Sequence, residues 1–160
     1  MNNLIKLSLK KLKIYNIPNP DLDLRILLNY SSKSKKEIFL SNFNDTDIDL
    51  HKFHSILNRR LNFEPISKII NKKNFWKYDF YVDHNVLDPR PETELIIEES
   101  LKLLTKKNKK INILDLGTGS GCLAVCLAKE FINSRITAID ISPEALKVAS
   151  KNFIIHKCKN

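Results

Sequence analysis

Ile111-Asn112-Ile113-Leu114-Asp115-Leu116-Gly117-Thr118-Gly119-Ser120-Gly121-Cys122-Leu123-Ala124 runs from an apolar stretch through a glycine loop into a second apolar stretch. That order suits a strand entering a tight turn and a helix leaving it. All three glycines of the chain, Gly117, Gly119 and Gly121, fall in this loop. A chain that otherwise avoids glycine needs it there, for close backbone approach or for positive φ. Cys122 to Phe131 reads as a buried helix and Arg135 to Ile139 as a second strand, ending at Asp140. Ser142-Pro143-Glu144 is a helix start, with a capping hydroxyl, proline at the first helical position and an acid in the first turn. Alternating strand and helix predicts a parallel α/β sheet from about residue 95 onward.

Strand, glycine loop, helix, strand, acid is the order a nucleotide-like ligand needs. Amide N–H groups at the start of the helix can hold a carboxylate. Asp140 lies 19 residues after Gly121, close to the ~20 expected of a carboxylate that accepts from ribose hydroxyls. The spacing is G-x-G-x-G rather than the dinucleotide G-x-G-x-x-G, so a nicotinamide site fits less well. A tight βα turn with no ligand is the plain alternative.

Upstream, Phe75 to Val82 is aromatic and β-prone, and reads as a hairpin or linker. Pro89 and Pro91 punctuate the chain, and Glu92-Thr93-Glu94 opens a helix to about Leu104, followed by a basic turn at 106–110. Everything before residue 74 reads as helices: 4–14, a second after Pro20, a short third at 35–40, and a fourth capped by Asp45 or Thr46. Three domains are expected: a helical domain at 1–73, a hairpin and linker at 74–94, and an incomplete α/β domain at 95–160.

The chain of 160 residues carries a net charge of +9, of which +7 lies in residues 1–110. A basic front half can mark an acidic partner. Here Lys, Asn and Ile dominate while Arg, Gly and Ala are scarce, as A/T-biased coding produces, so solvated lysines explain it. Cys122, Cys126 and Cys158 form no C-x-x-C pair and read as small apolar residues rather than a disulfide or zinc framework. His51 and His54 lack a third ligand, and no metal site is expected. No apolar run approaches the ~20 residues that span a bilayer, and Met1-Asn2-Asn3-Leu4 does not open a signal peptide. A cytoplasmic protein is expected.

Asp115 before the loop makes D-x-G-x-G-x-G, which resembles the first motif of class I S-adenosylmethionine methyltransferases. Pro89-Arg90-Pro91-Glu92-Thr93-Glu94 resembles the P-R-P-E-T-E signature of the HemK/PrmC family, the methyltransferases of peptide chain release factors. Arg59-Arg60-Leu61-Asn62-Phe63-Glu64-Pro65 and Phe75-Trp76 also look like that family's bridge between domains. Asp88 stands where the family has an apolar residue or Thr, and Asn71 where it has Gly. The resemblance implies a small helical bundle followed by the start of a Rossmann-like domain. It implies S-adenosyl-L-methionine as cofactor, held by Gly117, Thr118, Gly119, Ser120 and Gly121, with Asp140 on the ribose. Arg90, Pro91, Glu92 and Thr93 would shape the site. It also implies a monomer whose substrate is the Gly-Gly-Gln glutamine of a release factor, with neither membrane nor nucleic acid as direct target.

The family's catalytic N-P-P-Y occurs nowhere in these residues. The chain therefore reads as the N-terminal portion of such an enzyme, with two strands of a larger sheet and no methyl transfer of its own. Two other readings stand beside it: an adenine-N6 nucleic-acid methyltransferase, which would need a flipped or single-stranded base, and a non-catalytic module that binds release factors.

Overall fold

A computed structural model describes residues 3–34, 38, 43–104 and 110–158, and divides the chain into two compact units, Met1–Ile70 and Asn71–Asn160. Most of the expected third helix at 35–40 and of the basic turn at 106–110 lies outside the described residues.

The first unit is helical: α1 (Asn3–Ile14), α2 (Pro20–Tyr30), α3 (Leu50–Leu61) and α4 (Ile66–Ile70). Ile5, Leu12, Leu24, Leu27, Leu28, Phe53, Leu57 and Ile69 are buried together. Proline opens α2, with Asp21 and Asp23 in its first turn. The cap of α3 is not Asp45 or Thr46, which form a short 3-10 turn. It is Asp49, whose Oδ1 accepts from the Lys52 amide at 3.0 Å. Ile48 is only 1% exposed, and its extended backbone, at φ −119 and ψ 155, separates the earlier turn from α3. Arg60 of α3 reaches Asp23 of α2 at 2.7 Å and donates to the Glu64 carbonyl, so this largely buried guanidinium is neutralised and bonded.

The second unit holds a hairpin, β1 (Lys73–Phe75) with β2 (Tyr78–Phe80), then α5 (Glu94–Leu103), β3 (Ile111–Leu116), α6 (Cys122–Glu130), β4 (Ser134–Ile139) and α7 (Pro143–Ile155). β3 and β4 pair in parallel, Ile111 opposite Ser134 and Leu116 opposite Ile139. Parallel strands need a crossover, and α6 provides it. The fold is thus mixed α/β, with helices leading and a Rossmann-like strand–helix–strand–helix run following. Phe75 and Phe80 pack with Ile97, Val125, Cys126 and Phe131, so the hairpin belongs to this unit's core. The Glu94 carboxylate accepts from the Trp76 amide at 2.7 Å, and Glu130 accepts from the Trp76 indole at 3.0 Å. The helix expected from Glu92 opens as a 3-10 turn, Pro91–Thr93, before α5 proper. Asn71 has φ +51, which accounts for glycine in the related position: asparagine is among the few side chains that tolerate this region. Its Nδ2 also donates to the Val82 carbonyl.

Three helices end alike. After α1, the Ile17 amide donates to Leu12 O and the Asn16 amide to Lys13 O; after α3, Glu64 to Arg59 O and Phe63 to Arg60 O; after α7, Cys158 to Phe153 O and Lys157 to Ile154 O. These are Schellman closures, which require a left-handed residue. Asn16, Phe63 and Lys157 supply it at φ +54, +63 and +52, positions glycine would otherwise fill.

Candidate functional site

The glycine loop leaves β3 with φ +75 at Gly117, +54 at Gly119 and +77 at Gly121. Each value favours glycine, but the surroundings differ. A Cβ at Gly117 or Gly119 would meet nothing within 4 Å, so these two face open space. A Cβ at Gly121 would lie 3.1 Å from Ala149 of α7, so here the absent side chain is what lets two elements approach.

Most of the loop's amides bond within the protein. Gly117 and Thr118 both donate to Ile139 O at 2.9 Å, and Gly121 donates to Thr118 O at 2.8 Å. Gly119 donates to Asp140 Oδ2 at 2.8 Å. The buried Thr118 hydroxyl donates to Asp115 Oδ2 at 2.7 Å, which explains an acid just before the loop. The amides expected to face a ligand, at the start of the helix, are those of the first turn of α6. There Cys122 and Leu123 line the cleft, and helix geometry leaves their amides without an intrahelical acceptor.

Asp140 stands at the end of β4. Its Oδ1 accepts from the Ser142 amide at 3.0 Å. The Ser142 amide first, and the Gly119 amide second, hold its carboxyl below the usual range. These contacts are therefore complete above the unfolded value of about 3.9 and are lost as pH falls through the lower folded one. At neutral pH the site keeps an anionic acceptor with lone pairs to spare.

Loop and acid open on a cleft of about 490 Å³, within the range of small-molecule sites. One wall is Thr118, Gly119, Ser120, Cys122 and Asp140; the other is Asn85 to Arg90 with Thr93. Of the expected residues, Gly117, Thr118, Gly119, Ser120, Asp140, Arg90 and Thr93 meet on this cleft. Gly121 lies beneath the loop, and Pro91 and Glu92 are exposed outside the lining. Val86 and Leu87 also line it; sequence reading passed over them because an apolar pair beside a turn carries no signal of its own. The open glycine positions, the anionic acceptor and the helix start fit a small polar molecule with hydroxyl and carboxylate groups.

Burial pushes up the thiols of Cys122, at the cleft wall, and of Cys126, in the core behind it, which suits unreactive packing residues. His51 and His54 are exposed. Among the described residues no group of three or more His, Cys, Asp or Glu could hold a metal, and no helix is long and apolar enough to cross a membrane.

A family described as a methyltransferase domain matches residues 107–160. The release factor glutamine methyltransferase of Buchnera aphidicola subsp. Baizongia pistaciae is 40% identical over 100% of this chain and 58% of its own length. That of Koribacter versatilis is 38% identical over 91% of the chain and 52% of its own length. A bifunctional methyltransferase of Rickettsia typhi is 36% identical, with 91% of the chain covering 32% of it. The chain thus spans about half the length of the release factor enzymes it matches. With a methyltransferase match over the glycine loop and similarity running the length of the chain, these residues are similar to about half of a release factor glutamine methyltransferase.

Proposed function

We propose that the chain carries the methyl-donor half of an enzyme that methylates the side-chain amide of the Gly-Gly-Gln glutamine in peptide chain release factors. The observation behind this reading is that the proline-rich segment and the glycine loop, far apart in sequence, line one cleft. S-adenosyl-L-methionine would lie along Gly117, Thr118, Gly119 and Ser120, its ribose hydroxyls donating to Asp140 and its carboxylate facing the first turn of α6, while Gly121, expected to touch it, packs the loop on α7 instead. When bound, it supplies a methyl group made electrophilic by the sulfonium. Pro89 and Pro91 stiffen the facing segment. That holds Arg90 and Thr93 at the cleft, while Glu92 leads into the turn before α5. The helical domain, residues 1–73, would dock the release factor, and the protein would act as a cytoplasmic monomer.

An amide nitrogen is a poor nucleophile because its lone pair is delocalised, so it must be oriented toward the methyl. No Asn-Pro-Pro-Tyr stands among these residues to accept its hydrogens. The 160 residues by themselves therefore bind the donor without transferring its methyl. Calorimetry with S-adenosylmethionine, paired with labelled-methyl transfer to purified release factor, tests both halves. The expected result is saturable heat and no incorporation. Absence of heat overturns the site, and incorporation overturns the inactivity.

A further inference from the structure

Asn152, in the third turn of α7, is 0% exposed and bonds three backbone groups. Its Oδ1 accepts from the Tyr81 amide at 2.8 Å, and its Nδ2 donates to Tyr81 O at 2.9 Å and to Ser120 O at 2.8 Å. A flipped amide would set its oxygen against two carbonyls, so only this orientation satisfies the groups. Asn152 does not line the cleft. It grips both walls from behind: Tyr81 leads into the segment from Asn85 to Arg90, and Ser120 lies within the glycine loop.

Neighbouring contacts fix the walls on either side of Asn152. Ser120 is 3% exposed, so its carbonyl has no water to turn to. On one side Gly119 is tied to Asp140, and on the other Gly121 sits against Ala149, one turn before Asn152. Between these two points the Ser120 carbonyl is held by Asn152. Val82 and Val86 pack on Ala145 and Val148 of the same helix, giving the segment an apolar anchor to α7. That packing is non-directional, and the paired bonds to Tyr81 give it a register.

We propose that Asn152 is a positioning residue: through Ser120 and Tyr81 it sets the separation of the two cleft walls, and so the affinity for the methyl donor, without touching it. This rests on reading the cleft as the donor site.

Asn152→Asp in the full chain is the test, because it keeps the size and the acceptor but loses both donors while ionised. A buried carboxyl is pushed upward, and on protonation it regains one donor. The dissociation constant for S-adenosylmethionine should rise about tenfold or more at pH 8, as loss of a buried hydrogen bond would do. The variant-to-wild-type ratio should then shrink as pH falls toward about 5.5. In the ligand-free protein, amide exchange at Gly121, whose peptide carries the released Ser120 carbonyl, should quicken by a similar factor, with the interior of α6 unchanged. If Asn152→Asp does not fold, Asn152→Ser, which keeps one donor, takes its place and should give an intermediate affinity. Wild-type affinity at every pH in a variant with disturbed exchange overturns the proposal, as does undisturbed exchange. Should the wild-type chain fail to bind the donor, the reading of the cleft falls, and the exchange result still decides whether Asn152 holds the walls.

Discussion

Gly117 and Gly121 share a backbone conformation and differ in what surrounds them, so substitution separates strain from space. Gly117→Ala meets only the cost of a left-handed alanine, about 1–2 kcal/mol. Gly121→Ala adds a Cβ 3.1 Å from Ala149, against the backbone of a packed helix. Urea unfolding should place Gly121→Ala at least about 1 kcal/mol below Gly117→Ala. Equal midpoints would mean that α7 yields to the methyl group. The need for glycine was legible in the sequence because the chain has so few; which glycine serves packing and which serves open space was not. That distinction depends on Ala149, a residue with nothing to mark it. Asn152 was hidden for a related reason: in an asparagine-rich chain, one asparagine on an amphipathic helix looks like any other.

Helix starts were unevenly legible, that of α3 less so than that of α7. Ser142 caps α7 as its sequence announces, its Oγ accepting from the Ala145 amide at 3.1 Å. α1 closes with asparagine in the left-handed position shortly before Pro18, a usual stop signal, whereas α3 and α7 put phenylalanine and lysine there. α4 went unread because five residues are too few to show a period. The closing positions are places where the fold bears avoidable strain. Lys157→Gly should raise stability by about 1 kcal/mol, seen as a higher urea midpoint with an unchanged slope. No gain would mean that the lysine side chain compensates in place.

The cleft is lined wholly by residues of the second unit. Adding S-adenosylmethionine should therefore slow amide exchange in residues 81–90, 117–123 and 140–145, leaving 3–34 and 43–70 as they were. Protection spreading through the helical unit would contradict a donor site confined to one unit. The order of elements was readable along the chain because helix and strand periods are local. The cleft's second wall was less so, since it is attached by contacts across long stretches of sequence. The contact from Tyr81 to Asn152 crosses 71 positions, and this has a consequence during synthesis. At about 5–20 residues per second, the ribosome needs roughly 4 to 14 s to make the stretch between them. For that interval the segment entering the cleft exists without the side chain that registers it. Chaperones and proteases meet the nascent protein with its two walls made but not yet joined.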